Sequence, residues 1–321
     1  MNHFKYILKR IVLMLFTLFI IMTISFVLIK MLQPETPMMG LQAELERARR
    51  EALGYYKPVM TQYWIYLKNI ITSWDWGTSW QIDYRVPVTE VLMRRLPPTI
   101  IVNVLSLIVS VPLGIALGIF AALKKNKWQD HFISTTIMVF VSVPSFVYAF
   151  IVQYFLGFRL GWFPLIASSL HEAGGSWLSP VMLHSLVMPV MALSFSPVAS
   201  LARSTRAELT ESLTSEYMLL ARTKGLTRSQ ATVRHALKNA MVPILPRIIS
   251  LFAGVIGGSL IIEKIFAING IGGLFIQSIY QLDYDVFIGT DMFYTAVSLV
   301  TVLVMDLSYG FLDPRVRMGE R

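Results

Sequence analysis

Long apolar runs alternate with polar segments along the whole chain. Ile11–Ile29, Thr99–Leu123, Phe132–Leu156, Pro180–Ala202, Ile248–Ala267 and Gly289–Phe311 are each close to the roughly 20 residues that a helix needs to cross a bilayer core. The pattern predicts an all-α integral membrane protein with six transmembrane helices. Pro97-Pro98 is expected to end the element before it and start the second span, because proline suits a first helical turn. Pro112, Pro144, Pro189 and Pro197 fall inside spans, where neighbouring helices can re-satisfy the backbone. The spacing Gly114-x-x-x-Gly118 permits close helix contact.

Two polar segments are long. Residues 33–98 carry a mixed-sign charged patch at 44–51, then Tyr55, Tyr56, Tyr63 and Trp64, then Trp74, Trp76 and Trp80. Tyrosine and tryptophan favour the membrane–water interface, so this segment is read as a cap on the outer surface. The second, 203–247, is polar, basic and helix-like, although it separates two apolar spans. A segment of that length between spans is where a soluble partner would dock. The chain therefore divides into a cytoplasmic N-terminus and first span (1–32), an extracytoplasmic cap (33–98), a core of five spans (99–312) and a cytoplasmic tail (313–321).

Composition sharpens the class. Of 321 residues, 55% are hydrophobic and 15% charged, against about 25% charged in soluble domains. The formal charge of +9 would suit nucleic acid, but the bases gather in short inter-span segments. They are Lys5, Lys9 and Arg10, then Lys124, Lys125 and Lys127, then the 203–247 segment, then Arg315 and Arg317. Residues 157–179 hold one base, Arg159, and 269–285 hold none. Basic segments stay inside, which puts both termini and 203–247 in the cytoplasm with no conflict of parity. The first apolar run is too long for a signal peptide and lacks a small-x-small cleavage site, so it is read as an uncleaved helix. With no cysteine, disulfides and thiolate chemistry are excluded.

Candidate chemistry is sparse. There is no phosphate-binding lysine loop and no zinc-like His/Glu spacing, so no catalytic, cofactor-binding or metal-binding residue is assigned. Glu263 and Lys264, near the outer end of the fifth span, are read as snorkelling to the interface. Asn103, His184 and Asp306 are read as helix–helix hydrogen bonders. Residues 270–273 are read as a turn. An ion-driven transporter would show repeated halves and midplane ionisable groups. An intramembrane enzyme would show a paired acid or a His set. Within 203–247, Ala221 and Gly225 are spaced i, i+4 and would share a helical face, small enough for close approach to a partner. Gly225 suits a helix C-cap, and Arg222 and Lys224 could pair with acids on the partner. A basic amphipathic helix lying on anionic lipid is the competing reading.

Several blocks together resemble the permease subunits of bacterial ABC importers, specifically the oligopeptide/dipeptide permease group, whose relatives include nickel permeases. They are Tyr55–Trp64 with Gly77-Thr78-Ser79, Pro87–Pro97, Ala221–Leu226 with Arg234–Ala240, Glu263–Gly273 and Asp306–Arg315. The resemblance implies the type I importer permease fold (MetI-like), with the cytoplasmic Ala-x-x-x-Gly segment acting as a coupling helix in a cleft of an ATPase subunit. The coupling residues it implies are Glu216, Ala221, Arg222, Lys224, Gly225 and Leu226. Where the general motif has an acid, this chain has Leu219, and Glu216 or Arg222 would replace it. Implied partners are a second homologous permease, two ATP-binding subunits that hold ATP and Mg, and an extracytoplasmic substrate-binding protein. The implied cargo is a dipeptide or oligopeptide, with nickel or another small ligand as the alternative.

Overall fold

The computed structural model describes residues 3–32, 48, 51, 54, 56–253, 255 and 259–312. Most of the charged patch 44–51, Gly254, Gly257 and Gly258, and the basic tail from Asp313 lie outside the described residues. Among the described residues the chain is helical, with a single isolated antiparallel bridge between Thr78 and Pro87. The helices are α1 (His3–Leu32), α2 (Val59–Ser73), α3 (Val88–Leu123), α4 (Trp128–Ser142) and α5 (Ser145–Val152), which continues as a π-helical stretch, Gln153–Arg159. Then come α6 (Pro180–Leu213), α7 (Glu216–Thr223), α8 (Arg228–Ala231), a second π-helical stretch (Thr232–Leu237), α9 (Lys238–Ala253), α10 (Leu260–Ile265), α11 (Ile271–Tyr280) and α12 (Tyr284–Leu312).

Helices α1, α3, α6 and α12 are each long and apolar enough to span a membrane. Among the described residues, six straight spans are not seen. The expected third span is the pair α4 and α5, bent by 102°. The break falls at Val143, whose backbone is extended just before Pro144, because proline sterically drives the preceding residue out of the helical region. The expected fifth span, 248–267, is divided between the end of α9 and the short α10. A second correction concerns Pro97-Pro98, which lie inside α3 rather than at its start. Each proline leaves the carbonyl four residues earlier without its amide donor. Those residues are Met93 and Arg94, both exposed, so the carbonyls are lost where solvent or headgroups can replace the donor.

The described chain forms two compact units, Met1–Leu96 with Leu274–Leu299, and Pro97–Gly273 with Val300–Arg321. In the first, Met22 and Phe26 of α1 pack on Tyr63, Leu67 and Ile70 of α2 and on Ile288 and Met292 of α12. Two polar contacts fix the register: the hydroxyls of Thr23 and Tyr63 lie 2.5 Å apart, and Ser25 donates to Asp291 at 2.7 Å. Asp283, just before α12, is 1% exposed. One of its oxygens accepts from the Ser79 hydroxyl (2.6 Å) and from the backbone amides of Trp80 (3.1 Å), Gln81 (2.9 Å) and Ile82 (3.1 Å). A loop of successive amides thus closes on one carboxylate, the geometry of an anion nest.

In the second unit α6 is the central helix. Its Met182, Leu186, Met188 and Ala192 join Val102 of α3, Ala149 and Val152 of α5, Ile262 of α10 and Phe266 in one core. Its far half meets α3 at two glycines. A Cβ placed on Gly118 would lie 2.5 Å from Thr205 Cβ and 2.7 Å from the Ala202 carbonyl, and one on Gly114 would lie 2.8 Å from Leu201 Cβ. The glycine pair read from the sequence is therefore the surface on which α3 and α6 touch.

Asp283→Ala should destabilise the first unit by about 2–3 kcal/mol, since a buried donor left without an acceptor costs about 1–3 kcal/mol and water can reach only part of this loop. Asp283→Asn keeps an acceptor and should lose less. Thermal unfolding of the detergent-solubilised protein, with limited proteolysis across residues 79–86, measures both.

Candidate functional site

The polar segment between α6 and α9 folds as its local chemistry directs. Helix α7 opens with Glu216 and closes with Arg222, each charge at the end of the helix dipole that favours it. It terminates in a Schellman motif. Gly225 sits at φ +92°, its amide donates to the Arg222 carbonyl at 3.0 Å, and the Leu226 amide donates to Ala221 at 3.3 Å. Leu226 then packs beside Met218 and Ala221, the apolar contact that accompanies this motif. Thr227 starts α8 with a capping box: the Gln230 amide donates to its hydroxyl (3.3 Å), and the Thr227 amide donates to the Gln230 side chain (3.1 Å). Thr-x-x-Gln is the spacing such a box requires.

The inner side of α7 is held largely by alanines. Met218 and Ala221 join Ala122, Leu209, Ala231, Ala236 and Ala240 in one buried cluster. Ala221 is 5% exposed, so the small residue expected to face a partner instead packs against its own chain. The expected shared face of Ala221 and Gly225 is not present, because Gly225 lies past the end of the helix. The exposed side carries Glu216, Arg222, Lys224 and Gly225 with Leu219 and Leu220, which are 67% and 54% exposed. Sequence reasoning missed Leu219 and Leu220 as a surface pair. The signal was available: once Met218 and Ala221 are inside, a 100° step places both leucines outside. Burial alone would raise the pKa of the Tyr217 hydroxyl, but hydrogen bonds with Ser212, Ser215 and Asn239 outweigh it and hold the group below the usual tyrosine range.

A second arrangement anchors α6 above this segment. Asp130, 1% exposed at the first turn of α4, accepts both Nε (2.5 Å) and Nη2 (2.8 Å) of Arg206, and also the Asn126 amide at 2.9 Å. The bidentate pair is directional as well as strong. Arg206 figured in the sequence reading only as one of the basic residues that set topology, and Asp130 was missed, since nothing local pairs residues 76 positions apart. Farther along, Arg247 of α9 hydrogen-bonds Ser204 of α6.

Glu263 corrects an expectation. It does not snorkel: it is 0% exposed. Its carboxylate accepts from the Thr99 hydroxyl (2.9 Å) and from the amides of Gly272 (2.8 Å) and Gly273 (3.3 Å) at the start of α11, while Thr99 Oγ1 accepts the Ile271 amide at 3.0 Å. Residues 270–273, expected to form a turn, instead lead into α11, whose first amides close on the Glu263 carboxyl. Asn103 donates to the Thr99 carbonyl of its own helix at 2.7 Å, not to another helix. His184 is exposed and its ring centroid lies 5.1 Å from that of Phe163. Asp306 lies within α12.

Between α3, α6 and α9, a cavity of about 240 Å³ is lined by Asn103, Ser106, Ser250 and Ser259, the rest of its wall being leucine, proline and valine. Among the described residues that line it, none is ionisable.

Known proteins resemble this chain in sequence. Residues 114–318 match the family described as binding-protein-dependent transport system inner membrane component, and residues 3–103 match the N-terminal model of such membrane components. The chain belongs to this family. It is 37% identical to the dipeptide transport system permease protein DppB of Lactococcus lactis over 98% of this chain and 99% of that protein. It is 34% identical to DppB of Bacillus subtilis over 99% of each. It is 29% identical to the glutathione transport system permease protein GsiC of Escherichia coli K12, over 98% of this chain and 99% of that protein. A crystal structure of an amino acid ABC transporter with histidines aligns with a TM-score of 0.49 at 21% identity, over 70% of this chain and 95% of that one. The resemblance read from the sequence blocks holds, and the protein is an integral inner-membrane permease.

Arg206→Met or Asp130→Ala should each cost about 3 kcal/mol, the low end for breaking a buried pair, because the Arg206 side chain keeps 32% exposure. The double variant should lose less than the sum, as a double-mutant cycle on thermal unfolding would record. Thr99→Val removes one donor and one acceptor from the Glu263 cradle and should cost about 2 kcal/mol in the same assay.

Proposed function

We propose that this chain is the membrane permease of an ATP-driven importer of dipeptides or oligopeptides and forms half of the translocation pathway. The names of its full-length relatives support the cargo: two are dipeptide permeases and one is a glutathione permease. A second homologous permease supplies the other half. An extracytoplasmic binding protein delivers the peptide, and two partner subunits bind ATP and Mg and hydrolyse the nucleotide. The permease makes and breaks no covalent bond.

The observation that carries the coupling role is the shape of α7. It is a short, capped helix bound to its own chain through small residues, and it presents Leu219 and Leu220 among Glu216, Arg222 and Lys224. In this reading it lies on the cytoplasmic side, with both termini. The leucines enter an apolar cleft of the ATPase, the surrounding charges set orientation, and Ala221, Gly225 and Leu226 hold the helix end that makes the contact. Residues 33–98 form the outer cap.

Gly225→Pro tests the role. Proline fixes φ near −65°, against +92° here, and removes the amide that closes the Schellman motif. The tagged chain, co-expressed with its native neighbours, should co-purify with a second permease and ATPase subunits. The variant should lose ATPase binding and ATP-driven uptake at least tenfold while keeping its helical circular-dichroism signal. Unchanged uptake, or transport by the purified chain alone without ATP, would count against the reading.

A further inference from the structure

The cavity between α3, α6 and α9 has a chemistry that neither the family nor the relatives' names assign. Asn103 and Ser106 are three residues apart on α3 and share a face, and Ser250 and Ser259 stand on the other wall. The Asn103 amide nitrogen is engaged by the Thr99 carbonyl at 2.7 Å, which leaves its carbonyl oxygen as an acceptor. Each serine hydroxyl can donate and accept. The polar wall therefore offers neutral donors and acceptors set among leucine, proline and valine.

That set selects a class of ligand. Nickel favours imidazole, and metal sites generally use imidazole, thiolate or carboxylate, none of which lines the cavity. A peptide group carries one N–H and one C=O and is neutral, so hydroxyls and an amide can meet both. Without charge in the wall, there is nothing to prefer a lysine side chain over a glutamate. A neutral wall also binds weakly, and a site on a transport path must release what it holds.

Resting on the peptide-import reading above, we infer that Asn103, Ser106, Ser250 and Ser259 form this chain's contact surface for the peptide main chain in transit, indifferent to side-chain charge. Strict selection lies elsewhere in the system. The volume of about 240 Å³ is below the roughly 300–1,000 Å³ of sites that enclose a whole small molecule, as expected of a wall that shares its ligand with a facing subunit.

The test uses the complete transporter in proteoliposomes with its binding protein, given Ala-Ala, Ala-Lys and Ala-Glu. The wild type should transport all three at similar rates once delivery is saturating. Asn103→Asp and Ser250→Asp, made separately, should each lower Ala-Glu uptake roughly tenfold relative to Ala-Lys through like-charge repulsion at low dielectric. In the wild type, a photoactivatable dipeptide should label residues 103–107 or 250–259. Equal effects on all three peptides, or labelling only elsewhere, would overturn the assignment of this cavity while leaving peptide import intact. A wild-type transporter that takes up none of the peptides would overturn the peptide-import reading itself. The labelling experiment needs no variant, so a folding defect in either substitution still leaves a decision.

Discussion

Where lipid replaces water, each polar group inside the protein must find its partner within the protein, and for an ionised carboxylate that demand is severe. Asp130, Glu263 and Asp283 are each no more than 1% exposed. All three receive backbone amides: Asp130 from Asn126, Glu263 from Gly272 and Gly273, and Asp283 from residues 80–82. Asp130 and Asp283 each tie a loop to the helix beside it, and Glu263 ties α10 to the first turn of α11. With only 15% charged residues, the chain has few acids, and these three serve as fasteners for its irregular segments.

The same constraint organises the second unit around α6. Its first half lies in the apolar core with α3, α5 and α10, and its second half touches α3 through Gly114 and Gly118 and is held by Asp130 through Arg206. Helix α7 follows after a turn of two residues, Thr214 and Ser215. A displacement at α7 therefore enters a helix gripped on several sides, by packing, by glycine contact and by a bidentate ion pair. The π-helical stretch Thr232–Leu237 joins the other end of the segment to α9, and such local widening often marks functional positions in helices.

Much of this was legible in the sequence because it depends on nearby residues. Four long apolar runs became long helices. Gly225 was readable as a cap because a left-handed residue after a helix end is a local demand, and the block resemblance placed the family. What escaped depends on distance. The bend at Pro144 was hidden by the tolerance of lipid-embedded helices for proline, so that a break and a kink look alike in sequence. Glu263 looked like an interfacial charge because its position near the end of an apolar run said so, while its partner Thr99 is 164 positions away. Ala221 was assigned to the wrong surface for the same reason: the alanine it packs near, Ala122, is on another helix. Small residues announce close approach without saying to what.

Five of the seven buried residues in the cluster that holds α7 are alanines, and alanine has no side-chain rotamer to lose or exchange. A contact built from leucines or methionines can absorb a push by shifting torsions, so that part of the displacement is spent inside the joint. A joint in which alanines outnumber Leu209 and Met218 has less of that compliance. In the proposed coupling role, load on the exposed leucines would pass to α3, α6 and α9 through a joint with few side chains free to shift, a bearing more than a spring.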